Sequence, residues 1–218
     1  MKTMKKSIGI IVAALAFCML FGVSAKVEAA AAPKSVKVAY INGDRTDVSI
    51  ELPQRTDYYG YQVALYNANK KLIATDYCSF YASFNNKIRP NKVYYYRARV
   101  FDRWGTGKAV SGWSKLQAFS TAKYSLAQVK KTRAMYFKAP KITGVKYYKV
   151  YMSAYRDKGF KLLKKVKPGK KYKLTKTPKK KGFSYNKYYY LKVKPVLTKG
   201  GYAQDFSVPY FYFYKIYY

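Results

Sequence analysis

The sequence predicts an all-β chain: two tandem antiparallel β-sandwich domains after an N-terminal signal peptide. Three observations predict it. Apolar residues recur at every second position in short runs, the periodicity of strands with one buried face. Turn-forming residues separate these runs at short spacing, as they do in a sandwich. The second half of the chain repeats the first, and no stretch beyond the leader sustains a helical apolar period.

The leader comes first. Lys2, Lys5 and Lys6 precede an apolar run from Ile8 to Val23, and small residues then offer cleavage after Ala25 or Ala29. This order is that of a secretory signal peptide, and the run is short for a bilayer span of about 20 residues. The reading assigns 1–29 to the signal peptide, 30–121 to the first domain and 122–218 to the second. The expected location is therefore secreted, at the exterior of the cell envelope. With the leader removed, Cys78 is the only cysteine. The exported domains must then rest on their cores rather than on a disulfide.

In the first domain, Val36, Val38 and Tyr40 share one face of a first strand, and Val48, Ile50 and Leu52 one face of a second. Tyr61, Val63 and Leu65 mark a third, and Tyr94, Tyr96, Ala98 and Val100 a fourth. Between them lie turn signals such as Asn42-Gly43-Asp44, Asn67-Ala68-Asn69 and Arg89-Pro90-Asn91. At an offset of 87, Pro53 falls on Pro140, Tyr61 on Tyr148 and Val63 on Val150. At an offset of 95, Asn91-Lys92 falls on Asn186-Lys187 and Tyr94 on Tyr189. The change of 8 places an insertion in the Lys-rich segment from Lys161 to Lys181.

The run Ile88-Arg89-Pro90-Asn91-Lys92-Val93-Tyr94-Tyr95-Tyr96-Arg97-Ala98-Arg99-Val100 resembles the approach to the sixth strand of a fibronectin type III domain. Gly112-Trp113-Ser114 resembles bacterial members of that family. The resemblance covers 33–121 directly and 122–218 through the repeat. It implies an Ig-like sandwich in which Tyr94 is a structural tyrosine corner, its hydroxyl turned back to the chain, with Tyr189 as its counterpart. The sequence departs from the family in two places. Ile50 stands where an early tryptophan is usual, and Pro195 is expected to interrupt the strand that follows Tyr189.

The residues for catalysis are missing. The chain has no histidine, which removes the usual general base, triad base and commonest metal ligand. One thiol cannot build a zinc site. The first domain holds Asp44, Asp47, Glu51, Asp57, Asp76 and Asp102, several at turn positions usual for Asp, and the second only Asp157 and Asp205, the pair on which a rival two-carboxylate hydrolase would rest. No phosphate loop or Asp-rich calcium loop occurs. The expectation is a non-enzyme without cofactor or metal.

What remains is the surface. The chain carries a net charge of +35, and residues 122–218 hold 26 basic against 2 acidic side chains. Such a field attracts polyanions and repels itself. Lysine, a compact mobile charge, suits irregular phosphates better than planar, bidentate recognition. The candidate polyanion-binding residues are Lys164, Lys165, Lys167, Lys170, Lys171, Lys179, Lys180 and Lys181. Candidate aromatic contacts are Trp104, Tyr188 and Tyr190, since exposed rings stack on sugars. The expected activity is a non-catalytic binding or structural module at a bacterial cell envelope, whose partners are anionic wall or surface polymers. Peripheral electrostatic membrane contact is compatible with it, and no specific nucleic acid is expected. The alternative is a carbohydrate-binding or adhesin-type module that uses exposed Tyr and Trp on glycans or another protein chain.

Overall fold

A computed structural model describes residues 30–54, 59–102, 107–129, 131–205 and 209–214. The leader and Trp104 lie outside the described residues. The described chain is all strand and connection, with no helix. No helix among the described residues is long and apolar enough to cross a membrane.

The first unit has seven strands: β1 (Lys37–Ile41), β2 (Val48–Glu51), β3 (Tyr59–Tyr66), β4 (Leu72–Cys78), β5 (Tyr81–Phe84), β6 (Val93–Asp102) and β7 (Gln117–Ser120). They form a three-stranded sheet β1-β2-β5 facing a four-stranded sheet β4-β3-β6-β7. The second unit repeats this with β8 (Ser125–Val129), β9 (Ala134–Lys138), β10 (Val145–Ser153), β11 (Lys161–Val166), β12 (Lys171–Leu174), β13 (Tyr188–Leu197) and β14 (Tyr210–Tyr212). Its sheets are β12-β9-β8 and β11-β10-β13-β14, the same order advanced by seven strands. All strand pairs are antiparallel.

The alternation in the sequence is the alternation of the cores. Ile50, Val63, Leu65, Tyr96, Ala98 and Val100 are buried in the first core, and Phe137, Tyr148, Val150, Leu191, Val193 and Phe211 in the second. Ile50 and Phe137 hold the same place in the two units, 87 residues apart. Two expectations need correction. Tyr40 does not share the face of Val36 and Val38. A bulge between Val38 and Tyr40 turns Ile41 inward and leaves Tyr40 59% exposed. The Lys161–Lys181 segment carries β11 and β12 as well as added residues. Cys78 and Val166 occupy one register, as do Phe84 and Leu174, so most of the added length falls after β12. Pro195 does not interrupt β13, where it pairs with Tyr148 of β10. Its carbonyl accepts the Ala203 N–H at 3.1 Å. Carbonyl and nitrogen of a strand residue face the same side, so the missing donor points away from β10 and removes no bond of that ladder.

The units meet closely. Val93 and Ala118 of the first pack into the second core. Gln204 donates its N–H to Ala118 and accepts that of Ser120, both at 2.8 Å, a parallel bridge beside β7. Tyr124 donates to the Asp205 carboxylate. Its ring stacks on Phe137 at 5.6 Å and meets the edge of Tyr148 at 6.0 Å.

Candidate functional site

The outer face of the β11-β10-β13-β14 sheet is built by strand parity. Inward Tyr148, Val150, Leu191 and Val193 commit Tyr147, Lys149, Tyr151, Lys192 and Lys194 to the other side. Register then sets their neighbours. Lys149 lies directly opposite Lys165 of β11 on one side and Lys194 of β13 on the other. Three lysines thus form a row across three adjacent strands. Like charges directly opposed weaken a sheet, and no carboxylate stands in this row.

Aromatic rings take up part of the field. Lys165 lies over Tyr147 at 5.9 Å, Lys194 over Tyr151 at 5.5 Å and Lys149 over Tyr202 at 5.0 Å. The Lys149 ammonium donates to the Tyr202 hydroxyl at 2.7 Å. This bond, with the charges of Lys149, Lys194 and Lys165, lowers the Tyr202 pKa below that of an ordinary phenol, and the bond raises that of Lys149.

Along the same face the lysines give way to tyrosines. Tyr188 pairs with Tyr212 and Tyr190 with Tyr210. The Tyr188 ring lies 4.6 Å from Tyr212, 5.9 Å from Tyr210 and 6.1 Å from Tyr190, and Tyr212 lies 4.6 Å from Tyr214. Tyr188 is 46% exposed and Tyr210 59%, so the cluster offers ring surface to solvent. The alternate residues Tyr189, Phe211 and Phe213 are buried against Phe183.

The eight lysines singled out in sequence do not form one patch. Lys165 joins the row. Lys164, its neighbour on β11, lies over Tyr172 at 5.1 Å. Lys167 and Lys170 are exposed around the β11–β12 turn. Lys171 is on the opposite sheet, 4.3 Å over Tyr136 and in register with Lys138. Lys179, Lys180 and Lys181 sit on a tight turn closed by Thr177, whose N–H donates to Lys181 and whose carbonyl accepts from Lys180. Lys179 and Lys181 line a cleft of about 470 Å³ with Lys161 and Lys187. Sequence reasoning missed Lys149, Lys192 and Lys194. The usable signal was the alternation of Leu191 and Val193 with Lys192 and Lys194, which gives those lysines an outward face.

The structural tyrosines have defined partners. The Tyr94 hydroxyl accepts the Arg89 N–H at 2.8 Å, and Tyr189 accepts that of Ser184 at 2.9 Å. Each lies five residues upstream. Tyr61 and Tyr148 donate to the Pro53 and Pro140 carbonyls at 2.9 and 2.8 Å. In the first unit Trp113 is half-buried between the guanidinium groups of Arg97 and Arg99, each 4.5 Å from its ring.

No protein-family model and no curated protein sequence matches the chain. Among solved structures it is similar to the FN1–FN3 domains of chicken CNTN1, with 14% identity, a TM-score of 0.33 and coverage of 85% of this chain and 68% of that one. It is also similar to a segment of two fibronectin type III domains from chicken tenascin, with 13% identity, a TM-score of 0.31 and coverage of 81% and 93%. The strand order, a three-stranded sheet against a four-stranded one with a tyrosine corner in each unit, is that of two fibronectin type III-like sandwiches in tandem.

Proposed function

We propose that this chain is an exported, non-catalytic binding module of the cell envelope that holds anionic polymers on the outer face of the β11-β10-β13-β14 sheet. The observation that carries the reading is the row Lys165–Lys149–Lys194, three cations in direct register with no acid among them. Their repulsion is a standing cost that a bound polyanion relieves, and each neutralised charge releases counterions from the polymer. The lowered pKa of Tyr202 reports the same positive field from within the row. Lysine in place of arginine fits a ligand with irregular, mobile phosphates. Without histidine, the chain has no imidazole for proton transfer, and binding is the work left to its surface.

The test is a binding titration of the purified chain against poly(glycerol phosphate) over a range of salt. Log affinity should fall linearly with log salt. A variant with Lys149, Lys165 and Lys194 changed to Gln should lose roughly 2–3 units of that slope, at about 0.7–0.9 per contact. A slope equal in both proteins removes this face from the polymer.

A second reading has its own observation, the solvent-facing cluster of Tyr188, Tyr190, Tyr210 and Tyr212. Such rings stack on sugar faces. This reading predicts salt-insensitive retention by a neutral glycan, lost in Tyr188→Ala/Tyr210→Ala and kept in the lysine variant.

A further inference from the structure

At one end of the second sandwich, two turns enclose the cleft of about 470 Å³. One wall is the turn after β10. There the Ser153 hydroxyl donates to the Lys158 carbonyl at 2.6 Å and accepts the Tyr155 N–H at 3.0 Å. Gly159, at φ +72°, lets this turn fold back so closely that a Cβ there would stand 3.2 Å from Ser153 Oγ. The other wall is the turn from Thr177 to Lys181, closed by main-chain bonds of 2.8 and 2.9 Å and a bridge between Lys176 and Gly182. Tyr189, fixed by its bond from Ser184, forms part of the lining between them. Both walls are therefore held by bonds that need no ligand.

Four lysines from three segments line this cleft: Lys161, Lys179, Lys181 and Lys187. No acidic residue lines it, and the hydroxyl-bearing residues Thr177 and Ser184 do. The first unit keeps the counterpart of Lys187, Lys92, but in place of the Thr177–Lys181 turn it has only Asn85, Asn86 and Lys87 between β5 and Ile88. The added length of the second copy is thus spent on a turn that brings two more lysines to a cleft already cationic. A structural role for that turn does not explain why both charged residues it adds to the lining are cations.

We infer that this cleft is a discrete anion site for a phosphate-monoester group, separate from the polymer-binding face proposed above. A group of two negative charges balances more of the charge of four lysines than a single carboxylate does. The cleft and the sheet face share only the sign of their ligands, so each can fail without the other.

The experiment follows backbone amide NMR signals of the full chain while glycerol phosphate is added at constant ionic strength, with acetate as the matched control. Saturable shifts are expected in 153–159 and 177–182, absent with acetate. Lys179→Ala/Lys181→Ala should weaken binding by about tenfold or more, each lost charge-assisted contact being worth that order. The turn survives this change because its closing bonds are main-chain. The variant Lys149→Gln/Lys194→Gln should leave the shifts intact while losing poly(glycerol phosphate), which separates the two sites. Vesicles of phosphatidylcholine with and without phosphatidic acid identify the source of the group. Retention that the double alanine variant abolishes assigns it to a lipid, and shifts with the free ester alone assign it to a soluble molecule or a polymer end. Shifts that are absent, that acetate reproduces, or that persist in Lys179→Ala/Lys181→Ala overturn the inference.

Discussion

Tyrosine does three different jobs in this chain, and the surroundings of its hydroxyl decide which. Tyr94 and Tyr189 are buried, and each hydroxyl accepts a main-chain N–H from the loop that leads into its strand. Without that acceptor the amide of Arg89 or Ser184 is left beside an apolar ring. Tyr94→Phe and Tyr189→Phe should each cost about 1–2 kcal/mol, the range for a buried donor that loses its partner. Tyr40→Phe, with its hydroxyl in solvent, should stay within about 0.5 kcal/mol of the parent. Urea unfolding measures all three, and equal stability of Tyr94→Phe and the parent would remove the corner from the fold's energetics. Much of this was legible in sequence, because the repeat carried Tyr61 to Tyr148 and Tyr94 to Tyr189 at constant offsets within each strand pair. The face of Tyr40 was not legible. A bulge changes which residues oppose one another, and nothing in Val38-Ala39-Tyr40-Ile41 announces where the extra residue goes.

A strand sorts its residues by parity, and this explains why the lysine-rich run misled. Lys164 and Lys165 are adjacent in sequence, yet one lies over Tyr172 and the other over Tyr147 on the outer face. Lys149 and Lys194 are far apart in sequence, and pairing of β10 with β13 sets them side by side. Register of this kind is a property of two strands together, so charge density along one strand cannot disclose it. The weak alternation of β4, an edge strand with little inward surface, hid that element for the same reason. The row of lysines has a consequence for stability. Lys149→Thr should raise it slightly, as removal of like charges from opposed positions does, while it weakens polymer binding. Tyr202 reads out the same row. Its titration, followed by ultraviolet absorbance, should lie below that of a free phenol, rise on Lys149→Met, and rise again when poly(glycerol phosphate) fills the face. A Tyr202 titration indifferent to both changes would mean that the ammonium and phenol do not meet in solution.

At the scale of the whole molecule, the joint between units ties phenols to the stability of both. Tyr96 is fully buried, and its hydroxyl lies 3.1 Å from the side-chain oxygens of Gln117 in its own unit and Gln204 in the next. Burial pushes its pKa up to about 12 from 10.0. Burial also raises Tyr124 and Tyr148, helped in each by the charge of Asp205. These groups hold their protons longer folded than unfolded. Their contribution is therefore complete below about pH 10 and is lost as pH climbs toward the folded values. For Tyr96 the window runs from about pH 10 to about pH 12, and a shift of that size corresponds to roughly 2–3 kcal/mol. Because Val93 and Ala118 of the first unit belong to the second core, the loss should reach both sandwiches in one transition. Urea unfolding at intervals from pH 9 to pH 12, read by fluorescence and circular dichroism together, tests this. Tyr96→Phe should be less stable than the parent at pH 9 and show a shallower decline above pH 10, since it has one fewer buried phenol to ionise. Parallel declines in the two proteins would place the Tyr96 hydroxyl in contact with water, and two separated transitions would show that the sandwiches unfold independently in spite of their shared core.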